Sequence, residues 1–120
     1  MSKSPIPTEI QLHQNSRVLE ISFEDAGTFE LSCEFLRVYS PSAEVRGHHE
    51  SQAVLQVGKE KVNIEHIEPV GNYAVALHFD DGHRTGLYSW DYLYYLGQNK
   101  AQLWQEYLDK LAKAGHVRHA

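Results

Sequence analysis

The chain has 120 residues, 42% of them hydrophobic and 22% charged, which suits one domain around a single core and excludes global disorder. Its net charge of −5 argues against a phosphate-backbone partner, whose affinity rests on Lys and Arg, so no nucleic acid is expected. The single cysteine, Cys33, excludes an internal disulfide and a thiolate-built zinc or iron–sulfur centre; the N-terminus has no apolar signal core and no stretch approaches about 18 apolar residues, so a cytoplasmic protein without membrane contact is expected.

Residues 1–8, with Pro5 and Pro7, read as a flexible tail. Two alternating apolar and polar segments, 10–13 and 18–23, predict half-buried strands joined by a short turn at 14–17. A turn at 25–27 leads to a third strand over 28–32. Residues 33–39 predict one or two helical turns, stopped before Pro41, because the residue preceding a proline avoids the helical region. Residues 40–52 are polar and read as a mobile loop. A short strand is expected over 54–57, and clear alternation predicts strands over 62–68 and 73–79, with a turn at 69–72 between them. Asp80-Asp81-Gly82 is a strong turn signal, and residues 85–88 return as a further strand.

Two helices follow. Ser89 is placed to N-cap the first, with Asp91 in its first turn and Gly97 at its C′ position. Asn99 and Gln102 have capping-box spacing for the second. That helix carries Trp104, Tyr107, Leu108 and Leu111 as an apolar stripe and pairs Glu106 with Lys110 and Asp109 with Lys113. Gly115 ends it, and 116–120 is expected to fray. The expected fold is α+β: one domain, 9–115, with a small antiparallel β-sheet and a C-terminal helical pair.

Eight histidines invite a metal reading in which His48, His49, His78 and His83 with a carboxylate hold Fe or Zn. No His-Glu-x-x-His spacing supports it, and the opposing reading makes His83 a structural hydrogen-bonding residue. Asp80 and Asp81 read as turn formers rather than an acid/base pair, since adjacent residues point to opposite faces. Cys33 lies in no nucleophile motif, and the spacing of Gly82 and Gly86 lacks the lysine of a phosphate-binding loop. Five aromatic residues, Tyr88, Trp90, Tyr92, Tyr94 and Tyr95, exceed what one helix face buries. Tyr92 or Tyr95 is therefore expected toward solvent, either as a partner surface or with the ring on the sheet and only the hydroxyl wet.

Four segments carry a family resemblance: Leu36-Arg37; Ser40-Pro41-Ser42-Ala43-Glu44-Val45-Arg46-Gly47-His48; residues 67–75, which read IEPVGNYAV; and residues 79–93, which read FDDGHRTGLYSWDYL. Together they resemble the gamma-butyrobetaine hydroxylase-like N-terminal domain family, over about residues 9–100. The resemblance implies a small α+β domain. In gamma-butyrobetaine and trimethyllysine dioxygenases it precedes a jelly-roll domain using Fe(II) and 2-oxoglutarate, and elsewhere it accompanies Mrp-like P-loop ATPases that carry iron–sulfur clusters. No jelly roll is expected in this chain, so it is expected to be non-enzymatic. The dioxygenase domains hold a structural zinc through Cys-x-Cys-x-x-Cys and one histidine. The resemblance places those ligand positions at Ser40, Ser42, Val45 and His83, three of which are not ligands here, so an empty zinc site bridged by hydrogen bonds between Ser40-Pro41-Ser42 and His83 is expected, with no cofactor. The expected function is an accessory domain for a protein partner, an oxidoreductase or iron–sulfur assembly protein. Its contact surface would comprise the 40–49 loop, the 80–84 turn and Arg37, Arg46, His83, Arg84, Tyr88 and Trp90.

Overall fold

Alternation of apolar and polar residues builds two three-stranded antiparallel sheets on one core. The computed structural model describes residues 5–42, 55–84 and 86–118. In the first sheet, β1 (Pro7–His13), β2 (Val18–Phe23) and β3 (Gly27–Ser32) run in sequence order as a meander. Leu19, Ile21 and Phe23 alternate into the core while Glu20 and Ser22 face outward, as a period of two requires. Helix α1 (Cys33–Val38) follows directly, its first turn capped by Ser32, whose Oγ accepts from Phe35 N at 3.0 Å. In the second sheet, β4 (Ile64–Val70), β5 (Ala74–Phe79) and β6 (Leu87–Ser89) again run in sequence order, which leaves the three-residue β6 at the edge. Two helices close the chain, α2 (Trp90–Gln98) and α3 (Lys100–Lys113).

The two sheets share one apolar cluster. Leu19, Ile21, Phe23 and Leu31 meet Ile64, Val75, Leu77 and Phe79 there, joined by Phe35 and Leu36 of α1 and Leu93, Leu96 and Leu103 of the helical pair. At about 25 cal/mol per Å² of apolar surface, burial of this size is the main stabilising term. A polar seam also ties the sheets: Gln14 Nε2 donates to Ile64 O at 3.1 Å, and Asn63 Nδ2 donates to Gln14 O at 2.9 Å.

The expected α+β class and helical pair stand, with two small sheets. Several boundaries differ. The N-terminal tail is shorter than expected, because β1 already begins at Pro7, which pairs with Phe23; Thr8 lies at a register irregularity before Glu9, and its Oγ1 donates to Ser22 O. No strand occupies 55–57, and residue 54 lies outside the described residues, as do 43–52 of the expected loop. β4 runs on through Pro69 to Val70, which an outer strand tolerates because a missing N–H there can face away from its partner. Gly97 is not the C′ residue of α2, which continues to Gln98. A Cβ at Gly97 would lie 2.5 Å from Phe29 Cγ, so glycine allows α2 to press on β3. Asn99 makes no side-chain cap to α3; its Nδ2 reaches back to Tyr95 O at 2.9 Å. Leu103, Tyr107 and Leu111 form the buried stripe of α3. The carboxylates of Glu106 and Asp109 accept from Gln102 and Gln105. The C-terminal stretch is tied down at Arg118, whose Nε donates to the buried Glu34 Oε2 at 2.8 Å while the guanidinium lies over the Trp104 ring.

Candidate functional site

The C-terminal end of α1 is held by phenols. A helix leaves its last carbonyls without intrahelical partners, and buried ones need others. Tyr88, at the centre of β6 and 0% exposed, donates its hydroxyl to Leu36 O. Tyr92, on α2, donates to Tyr39 O at 2.6 Å, and the Tyr39 hydroxyl donates in turn to Leu103 O at 2.7 Å. α2 starts where it does because Ser89 Oγ accepts from Tyr92 N at 3.1 Å. Burial pushes the Tyr88 phenol far above its ordinary range and raises Tyr39 to about 12, so both stay neutral donors.

Past this anchored end the chain enters Ser40, which is fully buried. Its Oγ lies 2.8 Å from His83 Nε2 and accepts from Ser42 N at 3.2 Å. His83 is itself buried, its ring 6.0 Å from that of Phe79. Gly86 permits this approach. A Cβ there would sit 2.6 Å from Ser40 Oγ and 2.9 Å from the Tyr88 ring.

Asp81 pins the turn that carries His83. Its Oδ2 accepts from Arg37 Nε at 2.9 Å and from Lys59 Nζ at 2.8 Å, and its Oδ1 accepts from His83 N at 3.1 Å. Burial works against the charge, but the bonds from Lys59, the His83 backbone and Arg37 outweigh it and hold the carboxyl at about 2. Asp80 points elsewhere, accepting from Asn63 N at 3.0 Å, so the two aspartates serve separate turn bonds rather than one substrate. The buried Arg37 Nη1 has no hydrogen-bond partner among the described residues.

Of the residues expected to form the family zinc site, Ser40, Ser42 and His83 come together and Val45 lies outside the described residues. Two hydroxyls and one imidazole, with valine at the fourth position, do not fit zinc, and the His83 nitrogen facing this cluster is engaged by Ser40. The hydrogen-bonded bridge expected between Ser40 and His83 is present. The alternative metal set does not assemble among the described residues. His78 leaves β5 on the face opposite Phe79 and so opposite His83, and His48 and His49 lie outside the described residues.

The expected contact surface is corrected in three places. Arg37, His83 and Tyr88 are buried and support the surface from beneath. Arg84 is exposed, Trp90 is half-buried with its indole N–H on Asn72 O at 2.8 Å, and Arg46 lies outside the described residues. Sequence reasoning passed over two exposed residues beside them, Tyr73 at 54% and Leu87 at 42%. Tyr73 sits in the turn just before β5 and Leu87 at the start of the three-residue β6, where a single exposed side chain carries no special signal. Tyr95, at 49%, is the solvent-facing tyrosine of α2. Cys33 is fully buried, and burial raises its thiol to about 11, which makes it a packed side chain rather than a nucleophile.

A family model described as "Gamma-butyrobetaine hydroxylase-like, N-terminal" matches residues 10–94. Two proteins with solution NMR structures are similar throughout. One is 55% identical with a TM-score of 0.82, over 98% of this chain and 88% of its own. The other is 50% identical with a TM-score of 0.84, over 97% and 91%. A crystal structure of a protein of unknown function, assigned to the DUF971 family and from Acidithiobacillus ferrooxidans, is 42% identical with a TM-score of 0.64, over 76% of this chain and 91% of its own. No curated protein matches the chain. Among the described residues no helix is long and apolar enough to cross a membrane.

Proposed function

This chain belongs to the gamma-butyrobetaine hydroxylase-like N-terminal domain family, and from that premise we propose that it is a non-enzymatic accessory domain that docks onto a protein partner, an oxidoreductase or an iron–sulfur assembly protein. The observation that carries this reading is the division of labour around β6. Beneath it, Ser40, His83, Arg37, Asp81, Lys59 and Tyr88 hydrogen-bond to one another and to the end of α1. The full burial of Ser40, and an Asp81 that orients the turn rather than the imidazole ring, support a structural role for the serine–histidine pair. Outside, Tyr73 and Leu87 stand exposed along the β5–β6 hairpin, with Arg84 at its far end. Exposed tyrosine and leucine flanked by arginine make a surface suited to a protein contact.

The partner class rests on the resemblance, since domains of this type accompany Fe(II) dioxygenases and iron–sulfur ATPases. The test is affinity capture from the source cells by the wild type and by Tyr73→Ser/Leu87→Asp, with thermal unfolding of both. Retention of an oxidoreductase or iron–sulfur protein by the wild type alone, at equal stability, supports the reading. Equal retention by both proteins refutes the surface.

A further inference from the structure

We propose that the solvent face of the second sheet carries a divalent transition-metal site built on His66 and His78. The ladder between β4 and β5 sets these residues directly opposite each other. Both imidazoles therefore leave the same face, the one opposite the core side chains Leu77 and Phe79. Their ring centres are 5.3 Å apart and the rings stand at 80°. With a metal–nitrogen distance of about 2.0–2.1 Å and a nitrogen about 1.1 Å from its ring centre, two imidazoles at a tetrahedral angle have centres roughly 5.2 Å apart. The backbone register thus already supplies the spacing of a two-imidazole chelate. What remains is rotation about the second side-chain torsion, which is broad and roughly two-fold for histidine.

Glu68 lies two residues beyond His66 on the same face, opposite the short side chain of Ala76. It leans toward His78, its Oε1 3.1 Å from His78 Nε2. With Nε2–H donated to that carboxylate, the lone pair left on the ring is at Nδ1. A ligating histidine held by a carboxylate through its other nitrogen is the usual supporting arrangement at metal sites. Among the described residues no three histidine, cysteine or carboxylate side chains already surround one point, so solvent completes the coordination. Such a site favours Cu(II), Ni(II) and Zn(II), which suit imidazole, over Mg(II) or Ca(II). It is separate from His83, which is buried against Ser40.

The test is calorimetric titration of tag-free protein with Zn(II), Ni(II) and Cu(II) in turn, with thermal unfolding of each mixture. One metal per chain should bind with micromolar affinity, Cu(II) tightest, and raise the melting temperature. His66→Gln, at an exposed position that leaves the fold intact, should abolish binding, and Glu68→Gln should weaken it about tenfold. Substituting His48 and His49 together should change nothing. Absence of binding at micromolar metal, or unchanged binding by His66→Gln, would overturn the proposal.

Discussion

Ser40 and His83 depend on one another, and each is costly to lose. Ser40→Ala strips a buried imidazole nitrogen and the Ser42 N–H of their shared partner. Leaving buried polar groups unmet costs about 1–3 kcal/mol, so this variant should fold with a clearly lower urea midpoint. A midpoint equal to that of the wild type would show that the pair contributes little. Asp81 makes an acid-sensitive contribution. Its carboxyl lies at about 2 in the fold, against roughly 3.9 in an unfolded chain. The unfolded state therefore binds the proton first as pH falls. The contribution is complete above about pH 4 and is lost as pH drops through about 2. Asp81→Asn should be less stable at neutral pH and should show a flatter decline between pH 4 and 2, measured as urea midpoints across that range. At this scale the sequence was legible for the turn role of both aspartates and for His83 as a hydrogen-bonding residue. It was not legible for Tyr88, because a three-residue strand shows barely one period of alternation and both its faces read as plausible.

The helices are positioned by contacts that local rules do not contain. Gly97 shows this most clearly. In an exposed helix, exchanging glycine for alanine gains up to about 1 kcal/mol. Here the new Cβ would meet the Phe29 ring at 2.5 Å, and overpacking of that kind costs about 1–3 kcal/mol. Gly97→Ala should therefore destabilise, reversing the sign that propensity alone predicts, and thermal unfolding reads the difference. The last residues act as a strap. Arg118 meets the buried Glu34 with two guanidinium nitrogens and covers Trp104. Arg118→Ala leaves a buried carboxylate without its cation. With Arg118 itself partly exposed, a loss of about 1–3 kcal/mol is expected by chemical denaturation. Strands with four or more alternating residues, the Ser89 cap and Tyr107 and Leu111 of the α3 stripe were readable because their signals are periodic or adjacent in sequence, whereas the buried Leu103 was not read and Trp104 and Leu108 are only half-buried. The Gly97 contact, the Asn99 back-bond and the Arg118 strap join residues distant in sequence or override a local rule, and no local pattern announces them.

At the scale of the molecule, two small sheets that would be marginal alone become one body by sharing a core and a polar seam at Gln14 and Asn63. The candidate site sits where the second sheet meets α1, and its polar groups serve that junction. The docking surface proposed above lies on the outside of the β5–β6 hairpin, at Tyr73 and Leu87. The measurement that tests this most directly is the identity and stoichiometry of the protein retained by wild type, Ser40→Ala and Tyr73→Ser/Leu87→Asp, captured side by side. The account predicts one partner of the oxidoreductase or iron–sulfur class on the wild type, retained by folded Ser40→Ala and lost from the surface variant at unchanged melting temperature. Retention by the surface variant, or loss from a folded Ser40→Ala, would contradict it and return the function to the buried pair.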